Sequence, residues 1–294
     1  MLRIASRGSA LARWQAEHVA ALLAAADPHA ERAAELVIVE TTADQRLDIP
    51  IEAMGGKGVF VKEVQAAVLD GRADIAVHSA KDLPSVTFDG LVLAAVPERG
   101  DPRDALVGSK LLALREGAEV ATGSLRRRVQ LAELRPDLVF SGLRGNMQTR
   151  LDKAAGFDAI VVASVALERL GLAGRIDDVL SVEQLLPQVG QGALAVECRA
   201  SDASTIATLA QIEDAVSRRR VDAERAFLAE LGGDCDLPAA AYAVDTGATL
   251  TVDGMLAVDG QVRRARVAGT DGPAIGAALA RQLRDEAKGT WTDP

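Results

Sequence analysis

Residues 73–84 place four side chains capable of chemistry directly after a short apolar stretch. The apolar half is typical of a strand buried on both faces, as parallel strands between helices are. The second half carries His78, Ser79, Lys81 and Asp82. Open α/β sheets bind ligands at the carboxyl ends of their strands. A carboxylate, an ammonium group and a hydroxyl at such an end can transfer protons, stabilise charge and bind an anionic ligand.

Arginines are the second group of candidates, because they recur where a strand gives way to a helix. Ser124 is a good helix N-cap, and it places residues 126–128, all arginine, in the first helical turn. The helix dipole disfavours cations there by roughly 0.3–1 kcal/mol each. Residues that are locally unfavourable in this way are expected mainly at functional sites. Arginines at a helix N-terminus can bind a carboxylate or a phosphate. The alternative is a solvated run of charge, since one of the three should face solvent anyway.

Four further arginines lie in comparable turns: Arg7, Arg144, Arg150 and Arg169. Each alone is typical of a surface residue, but together they predict a ligand with several negative groups. Residues 55–58 are glycine-rich around a lysine, with a spacing that does not fit a P-loop. We interpret the long loop that contains them, residues 42–58, as a flexible lid.

The two cysteines differ in their surroundings. Cys198 lies within a strand pattern and is predicted to be a buried filler. Cys235 lies among glycines between Asp234 and Asp236, which is not a core environment. These carboxylates should raise the pKa of the Cys235 thiol, which disfavours a turnover nucleophile but not a permanent attachment point.

Composition excludes several classes of function. The net charge of −9 and the pI near 5.0 argue against non-specific binding of nucleic acid. No apolar run reaches the roughly 20 residues of a membrane helix, and no export signal precedes the first strand, so we expect a cytoplasmic protein. Two cysteines and three widely separated histidines predict no metal centre. Nothing in the sequence demands more than a monomer.

Alternating strands and helices must position these side chains. Besides the strand at the start of residues 73–84, the first two domains have predicted strands at residues 3–6, 36–41, 120–122, 138–141 and 159–163. The first helix is predicted at residues 10–26. Turn residues near 97–103 and 187–192 indicate two crossovers. After the second crossover come a strand, a long helix from 217, three strands and a final helix.

This order predicts an α/β protein with two domains joined by the two crossovers, as in hinged ligand-binding proteins with a cleft between the lobes. A C-terminal α+β domain with a three-stranded antiparallel sheet follows. The predicted domain boundaries are 1–98 with 191–213, 99–190, and 214–294.

Six motifs in a fixed order resemble the porphobilinogen deaminase family, also called hydroxymethylbilane synthases. They are residues 4–12, 55–63, 78–84, 123–127, 143–146 and 190–193, and the Cys235 loop follows them. No single motif is decisive, but six in the right order are highly specific, and the match runs almost from end to end. The family has two domains like those of periplasmic binding proteins and a third, cofactor-bearing domain.

The resemblance implies a transferase of tetrapyrrole (porphyrin and haem) biosynthesis. The family condenses four porphobilinogen molecules head to tail onto a covalent dipyrromethane primer, releasing ammonia each time, and hydrolysis then frees hydroxymethylbilane. By the same matching Cys235 carries the primer through a thioether, Asp82 is catalytic, and Asp82, Lys81, Arg126 and Arg127 contact the primer. The matched substrate-binding positions are Arg7, Ser9, Lys81, Thr122, Ser124, Arg126, Arg127, Arg144, Arg150, Arg169 and Gln191.

Two other functions stay open on the residues alone. A hinged, non-catalytic protein that binds a small acid would use the same arginines, but it gives no reason for a third domain with a cysteine in a glycine loop. A different transferase could use Cys235 unmodified. The mass of the intact chain separates the three hypotheses.

Overall fold

The computed structural model of this chain describes residues 1–26, 34–40, 61–232 and 237–286. Its strands are β1 Arg3–Arg7, β2 Glu35–Val39, β3 Ile75–Ser79, β4 Leu91–Ala95, β5 Asp104–Val107, β6 Glu119–Ala121, β7 Val139–Ser141, β8 Ala159–Ala163, β9 Asp178–Val179, β10 Leu194–Arg199, β11 Ala239–Asp245, β12 Leu250–Val258 and β13 Gln261–Gly269. Its α-helices are α1 Ala10–Ala26, α2 Lys62–Leu69, α3 Leu125–Leu134, α4 Met147–Lys153, α5 Ser164–Arg169, α6 Ala203–Leu209, α7 Ala215–Glu230 and α8 Gly272–Glu286.

The chain divides into two units, each with its own core. The first comprises Met1–Arg99 and Ala193–Arg218, and the second comprises Gly100–Gly192 and Arg219–Pro294. The second unit therefore holds the second α/β domain together with the C-terminal α+β part. The exact domain boundaries stay a prediction.

The first unit is built on a five-stranded mixed sheet in the order β2-β1-β3-β10-β4. Strand β1 runs parallel to β2 and β3, whereas β10 is antiparallel to both β3 and β4. The first four residues of β3 are buried, as its apolar pattern predicts. Helix α1 spans the predicted residues, and α2 ends before Gly71, whose φ of +72° suits the residue after a helix.

The second unit contains a sheet in the order β7-β6-β8-β5-β9. Here β6 is parallel to β7 and β8, and β5 is antiparallel to β8 and β9. Both sheets thus show the same arrangement: three parallel strands, then an antiparallel strand that the chain reaches through a crossover, then the last strand. This shared topology confirms the predicted pair of α/β domains of the periplasmic-binding-protein type.

Strands β4, β5 and β9 are absent from the sequence-based prediction. Strand β9 has two residues and β5 has four, and both lie against partners far away in sequence. Because such pairing depends on tertiary context, a local pattern does not reveal it. Strand β10 does pair with strands of the first domain, as expected.

The C-terminal part has the predicted three-stranded antiparallel sheet, β11-β12-β13, covered by α7 and α8. The β12–β13 hairpin turns at Asp259 and Gly260, which both have positive φ. Helices α7 and α8 pack closely, since a Cβ atom at Gly276 would lie 2.0 Å from the carbonyl oxygen of Ala223.

No helix in the described part of the chain is both long and apolar enough to span a membrane. Two sequence-based predictions, the lid at 42–58 and the environment of Cys235, fall on residues outside the described ranges.

Candidate active site

The segment after β3 forms a short 3₁₀ turn, Ala80–Asp82. Its ends are anchored, because Ala80 and Leu83 are buried and the Ala80 N–H donates to the Ala193 carbonyl oxygen at 3.0 Å. Lys81 and Asp82 lie between these anchors and are half-buried. The sequence therefore produces a turn, anchored at both ends, that leaves a lysine and an aspartate accessible to solvent and ligands.

The turn after β1 lies at the same edge of the sheet, because β1 and β3 are parallel neighbours. It contains two predicted substrate-binding residues, Arg7 and Ser9, both half-buried. Ser9 also caps helix α1, since its hydroxyl accepts a hydrogen bond from the Ala12 N–H at 3.3 Å. The two turns are linked through α1, where the buried Gln15 donates from Nε2 to the Ser79 hydroxyl at 2.7 Å. The sequence pattern gave no sign of this contact, because Gln15 lies 64 residues from Ser79.

His78 points into the interior rather than into the turn. Its Nε2 lies 3.3 Å from Glu197 Oε2, and Gln65 Nε2 donates to the same carboxylate oxygen at 2.9 Å. All three side chains are buried. The burial of His78 and its contact with Glu197 indicate a structural role.

The N-terminus of α3 matches the predicted cap. The Ser124 hydroxyl accepts a hydrogen bond from the Arg127 N–H, and the Ser124 N–H donates to Thr122 Oγ1 at 3.2 Å. Arg128 is exposed, so one of the three arginines does face solvent. Arg126 and Arg127 instead are 2% and 6% exposed, which excludes the alternative of a fully solvated charge run.

A buried carboxylate that sequence reasoning missed holds both arginines. Asp104, the first residue of β5, accepts hydrogen bonds from Arg126 Nη2 at 2.7 Å and from Arg127 Nη2 at 2.6 Å. Burial alone would raise the pKa of the Asp104 carboxyl, but the two guanidinium groups outweigh it and hold that pKa well below its usual range. Burial lowers the pKa of Arg126, and Asp104 opposes that shift. The only sequence signal was a charged residue next to an apolar run, because such a residue needs a partner once the run is buried.

Gln191 is also buried at this carboxylate. Its Nε2 donates to Asp104 Oδ1 at 2.8 Å and to the Pro102 carbonyl oxygen at 2.7 Å, so both amide hydrogens point to protein acceptors.

Arg169 lies where the two crossovers meet. Its Nη2 donates at 2.7 Å to the carbonyl oxygen of Gly192, which also accepts from the Gly100 N–H. Gly192 has a φ of +90°, and a Cβ atom there would lie 2.5 Å from the Gly100 carbonyl oxygen, so only glycine fits. Burial lowers the pKa of Arg169 to about 10, with Glu168 opposing the shift, and the side chain is still charged at neutral pH.

The turn between β7 and α4 presents the last pair of predicted arginines. Asn146 caps α4, accepting a hydrogen bond from the Thr149 N–H at 3.0 Å. Arg150 Nε donates to the Gly145 carbonyl oxygen at 2.8 Å, and Arg144 is exposed. Strands β6, β7 and β8 are parallel, so this turn and the N-terminus of α3 share one edge of the second sheet.

The predicted residues therefore fall into two groups, one at the carboxyl edge of each sheet. The first unit holds Arg7, Ser9, Lys81 and Asp82, and the second unit holds Thr122, Ser124, Arg126, Arg127, Arg144, Arg150, Arg169 and Gln191. Twin α/β domains with basic turns at their sheet edges define a class of proteins that handle anionic small molecules.

Comparison with known proteins narrows this class. The family model of the porphobilinogen deaminase dipyrromethane cofactor-binding domain matches residues 2–207, and that of the porphobilinogen deaminase C-terminal domain matches residues 218–285. The chain therefore belongs to the porphobilinogen deaminase family.

Individual relatives agree with this assignment. The porphobilinogen deaminase of Chromobacterium violaceum is 47% identical over 293 residues, covering 96% of this chain and 94% of the relative. That of Nitratidesulfovibrio vulgaris is 46% identical over 296 residues, covering 96% and 93%. That of Syntrophotalea carbinolica is 48% identical over 265 residues, covering 88% and 84%. The alternative of a hinged, non-catalytic acid-binding protein is not favoured.

The described residues fit a dipyrromethane, whose pyrrole rings carry carboxylate side chains. Arg126 Nε is buried without a hydrogen-bond partner in the described part of the chain, and two guanidinium groups share one carboxylate there. A ligand carboxylate would accept a hydrogen bond from Arg126 Nε and would balance the second guanidinium charge.

Proposed function

We propose that this chain condenses four porphobilinogen molecules head to tail, with release of ammonia, and then hydrolyses the product to hydroxymethylbilane. The observation that carries the proposal is the turn with Lys81 and Asp82. It is anchored at both ends, half-buried, and located at the carboxyl edge of a sheet in a chain of this family.

Asp82 is the proposed catalytic residue. Each condensation breaks a carbon–nitrogen bond to release ammonia, forms a carbon–carbon bond between rings, and removes a proton from the attacked ring carbon. Positive charge develops on a pyrrole nitrogen, and a carboxylate about 4 Å away would favour it by roughly 4 kcal/mol at an effective dielectric constant of 20. The same carboxylate can accept and return the protons, an effect of typically about 10²- to 10⁴-fold.

The basic residues bind the acidic side chains of the pyrrole rings. Every porphobilinogen ring carries an acetate and a propionate, so the growing chain is a polyanion. Lys81 and Arg7 at the first sheet, and Arg144 and Arg150 at the second, have the exposure that direct contact requires. Arginine suits this task because its planar group binds a carboxylate through two hydrogen bonds.

Cys235 is the proposed attachment point of the dipyrromethane, which supplies the ring carbon that receives the first substrate. The basic residues of the chain then bind the carboxylates of the pyrrole rings, and Asp82 accepts and returns protons. We further propose a cytoplasmic monomer, with the cysteine in a third domain from residue 214 onward.

Replacement of Asp82 tests the proposal. Asp82→Asn should fold normally and carry the primer, as read from intact mass, while kcat for porphobilinogen falls by about 10²- to 10⁴-fold. Asp89→Asn is the matched control, since Asp89 is an exposed aspartate seven residues further along. Near-normal turnover by a loaded Asp82→Asn protein would refute the role of Asp82. Absence of turnover in the wild-type chain would refute the function.

A further inference from the structure

The buried cluster of Asp104, Arg126, Arg127 and Gln191 has an unequal charge balance. All four residues are at most 6% exposed. One carboxylate faces two guanidinium groups, and Gln191 adds a neutral amide. The cluster therefore holds a formal excess of one positive charge, removed from water.

Asp104 uses its full acceptor capacity inside the cluster. Besides the two bonds from the arginine Nη2 atoms, its Oδ1 accepts from Arg127 Nε at 3.1 Å and from Gln191 Nε2 at 2.8 Å. Four hydrogen bonds are about what a carboxylate can accept. Arg127 donates two of these bonds, through Nε and Nη2, so Asp104 fixes the plane of that rigid guanidinium group, and Asp104 orients Arg126 through one bond from Nη2.

Each arginine also has N–H donors that do not bind Asp104, and all but one of the nitrogen atoms concerned have a backbone carbonyl acceptor. Arg126 directs Nη1 to the Leu186 carbonyl oxygen and Arg127 directs Nη1 to that of Val161. Arg126 Nε, however, is buried without a hydrogen bond among the described residues. A buried donor without a partner is costly, and a ligand carboxylate would relieve that cost.

Gln191 is itself held in place by its neighbours on the crossover. Val189 packs into the core formed by α7, α8 and the three-stranded sheet. The Gly190 N–H donates to Glu224 Oε2 at 2.8 Å, and the Gly192 carbonyl oxygen accepts from Arg169. The amide of Gln191 thus approaches Asp104 from a fixed backbone.

We propose that Asp104 is a positioning residue for recognition of a substrate carboxylate. It orients Arg126 and Arg127, cancels one of their two charges, and leaves one buried positive charge for the ligand. Gln191 acts through Asp104 instead of touching the substrate. This inference rests on the proposed function. It gives Asp104 a role that the sequence did not indicate, and it replaces the predicted substrate contact of Gln191 with an indirect role.

The first test removes the carboxylate. Asp104→Asn should raise KM for porphobilinogen by about 10- to 100-fold while kcat changes less, because the arginines lose the carboxylate that orients them for charge-assisted hydrogen bonds to the ligand. The fraction of chains carrying the primer, read by intact mass, should fall as well. Asp137→Asn is the matched control, because Asp137 pairs with Arg135 just beyond the other end of α3 and should leave both readouts unchanged.

The second test keeps Asp104 and removes only the amide that binds it, so it remains decisive if Asp104→Asn does not fold. Gln191→Met removes the N–H donors to Asp104 Oδ1 and to the Pro102 carbonyl oxygen without changing the charge of the cluster. We expect it to raise KM for porphobilinogen by about tenfold, with less change in kcat, because Asp104 is then less firmly placed against the two arginines.

Two results would overturn the inference: a folded Asp104→Asn protein with wild-type KM and primer loading, or a folded Gln191→Met protein with wild-type KM. Each presupposes a wild-type chain that turns over porphobilinogen, so failure of the inference is distinct from failure of the proposed function.

Discussion

Each of the two five-stranded sheets buries one carboxylate on its antiparallel strand, but the partners differ. Glu197 on β10 meets the Gln65 amide and the His78 imidazole. Asp104 on β5 meets two arginines. The group around Glu197 holds no permanent positive charge. The group around Asp104 holds two guanidinium charges, one more than its single carboxylate balances.

This difference indicates how the two sheets divide the work. The first sheet places the proposed catalytic Asp82, with Lys81, outside the core in a half-buried turn, and the Glu197 group behind it is structural. The second sheet places cations in the interior, where low polarity strengthens their attraction for an anion. Under the proposed function, the same topology supports proton chemistry at one edge and charge recognition at the other.

The largest stability difference should separate neighbouring arginines of α3. Arg127→Ala leaves Asp104 with one partner fewer in the core and should lower the free energy of unfolding by about 3–5 kcal/mol. Arg128→Ala, at an exposed position, should change it by less than about 0.5 kcal/mol. Urea unfolding checks both, and equal effects would mean that Arg127 is solvated in solution.

A smaller effect is expected at the first sheet. Glu197→Gln keeps an acceptor for Gln65 and leaves no guanidinium uncompensated, so the loss should be about 1 kcal/mol. Urea unfolding beside Asp104→Asn measures the contrast. A loss at Glu197 as large as that at Asp104 would contradict the proposed difference between the two carboxylates.

The pH dependence of stability offers a third comparison. The two arginines hold the pKa of Asp104 below its value in the unfolded chain, despite the opposing effect of burial. The stabilisation is therefore complete above about pH 4 and is lost as the pH falls toward the folded-state pKa. The difference in unfolding free energy between wild type and Asp104→Asn should shrink between pH 4 and pH 2. A constant difference would show that Asp104 is not charged in the folded state.

The smallest effect is expected at the surface between the second sheet's domain and the C-terminal part. Glu133 and Arg264 form an ion pair at 2.6 Å, with side chains 44% and 40% exposed. Glu133→Gln should cost no more than about 1 kcal/mol, because water screens such pairs. Thermal unfolding at low and high salt checks this, and a larger, salt-independent loss would place the pair in the core.

Local sequence patterns predicted most of the fold. Helix α1, strand β8 and the C-terminal hairpin follow from the hydrophobic period and the turn residues, and Ser124 is the cap that its position predicted. Strands β4, β5 and β9 could not be predicted, because their pairing depends on partners brought by the crossovers.

The candidate site was predictable in residue type but not in burial. Arginines in successive turns indicate an anionic ligand, yet their sequence does not reveal that Arg126 and Arg127 share Asp104, some twenty residues earlier. The contact of Gln191 with Asp104 spans 87 residues and depends on the return crossover. Such contacts are products of topology, so no local spacing indicates them.

The mass of the peptide that contains Cys235 tests the proposed function most directly. We predict an increase equal to a thioether-linked dipyrromethane in the wild type, lost in Cys235→Ser and retained in Cys198→Ser. Cys198 is the matched control because it is buried in β10, where burial raises the pKa of its thiol to about 11. An unmodified Cys235 in a folded chain that turns over porphobilinogen would contradict the assignment of the primer.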